Sequence, residues 1–261
     1  MFNRTWLSPG TIGRVVRLGT ELIVVAIGVL LALWAQAWFE GRKDAETRRD
    51  TIAQMDAVIG RVLAQTAARV SSDLCSRQRI AELDDALRSS AGQWSARALP
   101  NLPGRMVVGH FPTVCLMDAD VLPLQVFDTA RRNGTMNALP PRDLRFYEQV
   151  ERELHWLNDV WVGSTDPAMR LSVLGVDGPL SESARDEMRQ ALAWLDGENR
   201  VTILRAQSLA RLAREHGFAL AAGDLAGYRQ KFERDRQLFG DCVVEVDPLH
   251  LTPVPGTPSS S

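Results

Sequence analysis

Leu22–Phe39 reads LIVVAIGVLLALWAQAWF: eighteen residues without a charge, with Gln36 as the one strongly polar member. An α-helix rises about 1.5 Å per residue, so the run covers roughly 27 Å, close to the hydrocarbon thickness of a bilayer. A helix also pairs each of its backbone amides internally, as lipid requires. Trp34 and Trp38 lie near its C-terminal end, where amphipathic rings favour the headgroup layer. Charge resumes at Glu40, Arg42, Lys43 and Asp44 and precedes the run at Arg14, Arg17 and Glu21. The stretch is read as a transmembrane helix. Two other readings compete: a buried core helix, and a cleaved signal peptide with Ala35-Gln36-Ala37 as the small-x-small site. Helix-forming sequence continues past that site, and Glu21 abuts the apolar run.

Glu21, the LIVVAIGVLLAL run, Trp38 and then Glu40, Gly41, Arg42 and Lys43 resemble the start of a family of uncharacterised single-pass bacterial membrane proteins. In that family an acidic residue precedes a V-x-x-G-V/I-L-x-A-L span, and a tryptophan and a charged helix follow. The resemblance covers Glu21 to Lys43. It implies an inner-membrane anchor and an extracytoplasmic helical domain, and it brings no activity with it.

The fold class expected is mainly α: one N-terminal transmembrane helix and then an extracytoplasmic, bundle-like helical domain. The organisation expected is a cytoplasmic lead over 1–21, the span over 22–39, a helical domain over 40–247 and a disordered tail over 248–261. Lysine and arginine are nearly balanced across the span, so orientation rests on the tendency of long C-terminal domains to translocate regardless of flanking charge. The N-terminus is therefore placed in the cytoplasm of a bacterial cell and the domain in the periplasm.

With 45% hydrophobic residues, 24% charged and a net charge of −2, the chain has ordinary globular composition plus one membrane segment. No basic face is evident, which argues against a nucleic-acid partner. Cys75, Cys115 and Cys242 allow three pairings in an oxidising compartment, with one thiol left over; three buried, unpaired thiols is the other reading.

Gly28 and Ala32 form a small-xxx-small pair in the span, a spacing that lets helices approach closely in lipid. After Asp44, Ile52, Met55, Ile59 and Val62 recur at three and four, a heptad-like stripe that Thr66 and Val70 continue. The partners expected are the lipid bilayer and a second copy of the chain, through the span and this stripe. The alternative is that the stripe simply packs on the chain's own helices. Residues 88–113 break the pattern with Pro100, Pro103, Gly104 and Pro112, and a strand is possible at Met106-Val107-Val108. Helices are then expected over about 121–133 behind Asp118 and Asp120, 142–162, 166–175, 184–216 behind a Ser183 capping box, and from an Asp224 cap to 239. Gly134, Gly217 and Gly240 mark stops, and Cys242–Val246 reads as a strand.

No phosphate-binding loop, dinucleotide fingerprint, H-E-x-x-H or G-x-S-x-G is present, and His110, His155, His216 and His250 have no ligand spacing. No catalytic, cofactor-binding or metal-ligating residue is assigned, and no cofactor. The functional expectation is a membrane-anchored, non-enzymatic interaction or sensor-like module. An envelope enzyme of unidentified class and a structural envelope component are the alternatives.

Overall fold

Helix α1 (Pro9–Ser71) carries both the apolar run and the stripe that follows it. The structure is a computed structural model that describes residues 9–90, 92–96 and 122–254, with the side chains of α1 from Ile27 onward. The helical expectation holds. After α1 come α2 (Asp73–Ser89), α3 (Gln125–Arg132), α4 (Pro141–Gly163), α5 (Thr165–Arg170), α6 (Glu182–His216) and α7 (Ala222–Phe239). Two short strands, β1 (Gln93–Trp94) and β2 (Gly178–Pro179), pair antiparallel.

Packing divides the chain into one unit over Met1–Ile52 and another over Ala53–Ser261. In the first, large side chains lie exposed around the whole helix, among them Ile27, Leu30, Leu33, Trp34 and Phe39. Gln36 donates to Glu40 Oε1 at 2.8 Å, and the Arg42 guanidinium sits 5.0 Å from the Trp38 ring centre. Among the described residues no helix is long and apolar enough to cross a membrane. The side chains of 22–26, the start of the run, lie outside them.

In the second unit, Met55, Ile59, Val62 and Thr66 are fully buried, together with Leu63 and Ala67. Met55, Ile59 and Val62 of the heptad-like stripe thus belong to the chain's own core, while Ile52 falls in the first unit. Apolar side chains on both sides of the stripe are covered too, so α1 is enclosed here and not merely edge-packed. At its end the hydroxyls of Ser71 and Ser72 donate back to the Ala68 carbonyl at 3.0 and 3.1 Å. Such bonds compete with the backbone ladder, and the chain breaks between α1 and α2 there.

The central element is α6, against which α2, α4 and α5 pack. It starts two residues earlier than the sequence reading put it. Ser181, not Ser183, is the cap, and its hydroxyl accepts from Ala184 N at 3.2 Å. Gly197 and Asn199 do not divide it; the helix runs unbroken for 35 residues. Its first half buries Met188, Leu192 and Leu195, at helical spacing, against Leu83, Leu87, Trp94, Leu171 and Leu174. Its second half differs. The buried positions are Asn199, Thr202, Ala206, Leu209, Ala210 and Ala213, while Leu204 is 63% exposed. Alanines allow close helix approach and so form a core seam that a search for bulky residues passes over. The helix ends as Gly217 requires: at φ 83° it lets Phe218 N donate to Ala213 O at 2.8 Å and Gly217 N to Arg214 O at 3.0 Å.

On α4, Phe146, Val150, Leu154, Leu157, Val160 and Trp161 are buried at helical spacing. Helix α7 is capped by Ala221, not Asp224. Asp224 sits in the first turn, where its charge suits the helix dipole, against Gly60 of α1. A Cβ on Gly60 would collide with the Asp224 Oδ2 atom and meet Cγ at 3.2 Å. The expected strand over Cys242–Val246 is instead a 3-10 turn, Gly240–Cys242, and an isolated bridge from Val246 to Pro253. Of the expected tail, residues 248–254 are described and 255–261 lie outside the described residues; Asp247 Oδ1 accepts from Leu249 N at 2.8 Å, and Tyr228 Oη accepts from Val246 N at 2.9 Å. The strand expected at 106–108, and Asp118 and Asp120, lie outside the described residues.

Candidate functional site

Cys75 on α2 and Cys242 after α7 form a disulfide, with S–S 2.11 Å and Cα–Cα 5.1 Å. It fixes the C-terminal segment to the α1–α2 corner, where Val244 N also donates to Ser71 O at 2.9 Å. Sequence left three pairings open; Cys115 lies outside the described residues.

Beside this corner is a buried polar node that the sequence did not disclose. Arg69 Nε donates to Asn199 Oδ1 at 2.8 Å, and Asn199 Nδ2 donates to Asp73 at 2.7 Å. One side chain in the middle of α6 thereby ties α1 to α2. A second cluster joins α1, α4 and the end of α6: Tyr147 Oη donates to Asp56 Oδ1 at 2.8 Å, and the His216 ring stacks on Phe146 at 3.9 Å. Burial raises the Asp56 carboxyl above its usual value, opposed by the Tyr147 hydroxyl and by His216. Burial likewise raises the Tyr147 hydroxyl, reinforced by the hydrogen bond to Asp56. Elsewhere His155 lies 3.8 Å from Glu151 and His250 lies 3.2 Å from Asp247, so these histidines do not converge. His110 is outside the described residues. Among those residues no group of three or more His, Cys, Asp and Glu is placed to hold a metal ion.

Several clefts open on the second unit among the described residues. One of about 580 Å³ runs between α2 and α6 under Arg77, Arg88, Arg189 and Arg200. Each guanidinium is already matched: Arg77 to Asp73 at 2.9 Å, Arg88 and Arg189 to Asp84 at 2.6 and 2.9 Å, Arg200 to Asp196 at 2.7 Å. The bonds from Arg189 and Arg88 hold the Asp84 carboxyl below its usual value. This cleft is a closed lattice of charge that links two helices. A second, of about 670 Å³, lies between α1 and α7 over Gly223 and Gly227, with polar walls that include Arg61, Gln65 and Gln230.

The third cleft, of about 300 Å³, is formed by the end of α4, by α5 and by α6. Its floor is small and apolar: Gly163, Pro167 and Ala191. Trp194, 56% exposed, lines it from α6 on the same helix face as Glu187, Gln190 and Ala191. Arg170 of α5 pairs with Asp166 at 2.8 Å and reaches Glu187 of α6 at 3.5 Å. Gln190 stands beside them. An exposed aromatic beside paired hydrogen-bonding groups, in a cleft of a size suited to a small molecule, makes this cleft the candidate. The Trp194 signal was present in the sequence: it is a large aromatic one position off the Met188–Leu192–Leu195 stripe, hence on the wet side of α6.

No protein-family model, curated protein or solved structure matches the chain.

Proposed function

We propose that the chain is a single-pass membrane-anchored protein whose helical unit lies on the periplasmic side of a bacterial inner membrane and serves as a non-enzymatic interaction or sensor-like module. The observation that carries the compartment is the Cys75–Cys242 disulfide. Such bonds persist in oxidising compartments and are kept reduced in a bacterial cytosol. The anchor is supported by Ile27, Val29, Leu30, Leu31, Leu33, Trp34, Trp38 and Phe39, which are 47% to 68% exposed. At 100° per residue these positions occupy all sides of the helix, whereas a water-facing helix presents one apolar stripe. A lipid surround covers all sides at once. Pairing of two copies is proposed only along Gly28 and Ala32; a Cβ on Gly28 would meet nothing within 4 Å.

Fusion of alkaline phosphatase and of a fluorescent protein after Ser261 tests the reading. Phosphatase activity in the membrane fraction, with a Cys75–Cys242 peptide recovered by mass spectrometry under non-reducing conditions, is expected. A fluorescent product without phosphatase activity, and both thiols open to alkylation, would overturn it.

A further inference from the structure

We infer that the cleft bounded by Trp194 takes one ring of a neutral saccharide. The inference does not rest on the anchor: the cleft belongs wholly to the second unit, and its chemistry is the same on either side of a membrane.

The reasoning is one of matched surfaces. Trp194 leaves more than half of its surface open on the exposed face of α6, and large aromatics left so are common in recognition surfaces. Gly163, Pro167 and Ala191, which line the same cleft, offer neither charge nor bulk. A flat ligand edge can therefore lie against the indole. A pyranose has such a face, built of C–H bonds whose positive polarity suits the negative face of the ring. Its other edge is a row of hydroxyls, each both donor and acceptor.

The polar wall selects among ligands. Asp166 and Glu187 bring two carboxylates, which disfavours an anion. A cation would suit Trp194 and the carboxylates, but Arg170 already lies between them, at 2.8 Å from one and 3.5 Å from the other. A second positive charge would meet that guanidinium. A neutral polyol uses what remains: the free lone pairs of the two carboxylates as acceptors and the Gln190 amide as both donor and acceptor. Arg170 already pairs with both carboxylates before any ligand arrives. The volume of about 300 Å³ accommodates one ring and part of a second, not a long chain.

The test uses the full chain in lipid nanodiscs, free of glycerol and of sugar detergents. Glucose, galactose, mannose and N-acetylglucosamine are titrated, with choline as the cationic probe and glutamate as the anionic one. Binding is read by saturation-transfer NMR and tryptophan fluorescence. At least one sugar is expected to bind saturably with Kd on the order of 1 mM, the range for a ligand of about a dozen heavy atoms with few contacts. Trp194→Ala removes an exposed side chain and is expected to weaken binding about tenfold or more with an unchanged circular dichroism spectrum. Gly163→Leu, at a helical position where a Cβ meets nothing within 4 Å, is expected to fill the cleft and abolish binding. Absence of saturable binding by all four sugars up to about 50 mM, well past that range, would overturn the assignment. So would sugar binding that both variants leave intact, or saturable binding of choline or glutamate in place of the sugars.

Discussion

The Cys75–Cys242 bond closes a loop with a sequence separation of 167 residues, and its removal has a calculable ceiling. The replacement is Cys75→Ser with Cys242→Ser. Loop closure in the unfolded chain loses entropy as the logarithm of loop length, which for this separation amounts to about 5 kcal/mol at 25 °C. Measured losses for native disulfides run from about 2 to 5 kcal/mol, because a denatured chain retains some compactness. For a unit of this size each kcal/mol moves the midpoint by roughly 2–4 °C, so a fall of roughly 5–20 °C is expected. The assay is thermal unfolding of parent and double variant, followed by circular dichroism with and without reductant. Reductant is expected to bring the parent to the variant's midpoint and to leave the variant where it is. Hydrogen exchange is expected to rise first in 240–254, the segment that the bond holds to the α1–α2 corner. A variant that melts within about 1 °C of the oxidised parent, far below the smallest expected shift, would refute the reasoning. It would mean that the hydrogen bonds at Ser71 and Tyr228 hold the segment without the covalent link.

Other outcomes follow from the same structure. Asn199→Leu is expected to destabilise by about 2–4 kcal/mol in denaturant unfolding, because the buried Arg69 and the half-buried Asp73 each lose a hydrogen bond to charge; a gain in stability would show that the node is dispensable. Leu209→Ala, at a fully buried position on α6, is expected to cost about 2–5 kcal/mol by the same measurement. Asp56 has a raised folded pKa through burial, so its ionised form is disfavoured by folding, and stability is gained as pH falls through that pKa. Asp56→Asn keeps an acceptor for Tyr147, and the variant is expected to be at least as stable as the parent at pH 7 and to lose that part of the pH dependence; a clear loss at pH 7 would count against burial as the dominant effect. For Asp84 the sign is opposite: its pKa is depressed by Arg189 and Arg88, so its contribution is present above the usual carboxylate range and lost as pH falls through the folded value. Its NMR titration midpoint is expected below that of a model aspartate, and Arg189→Gln is expected to raise it.

Much of the helical outline follows from local rules that the chain carries openly. Pro141 opens α4, where a missing N–H costs nothing. Gly134, Gly217 and Gly240 adopt positive φ at helix ends, where residues with a Cβ are strained. The Phe146–Trp161 face and the Met188–Leu195 stripe are legible because bulky side chains repeat at the helical period. The apolar run of 22–39 is equally plain, since its composition alone sets it apart.

What the sequence left open turned on contacts between distant residues or on partners with no period. Ser181 and Ser183 both satisfy the chemistry of a cap, and only the path of the chain out of β2 selects the first. Asn199 looks like a weak point in a helix until Arg69 and Asp73, more than a hundred residues away, are placed against it. The Ile52–Val62 stripe announces a packing face but not what covers it; in the fold Met55, Ile59 and Val62 lie in the chain's own core. Three cysteines permit three bonds, and proximity in the folded state alone selects Cys75 and Cys242. The cleft is the furthest from the sequence, because Trp194, Arg170 and Gly163 lie on three different helices. Local chemistry fixes where helices begin and end, since those costs are settled within a turn; pairings across the fold depend on how the helices dock, which no local window contains.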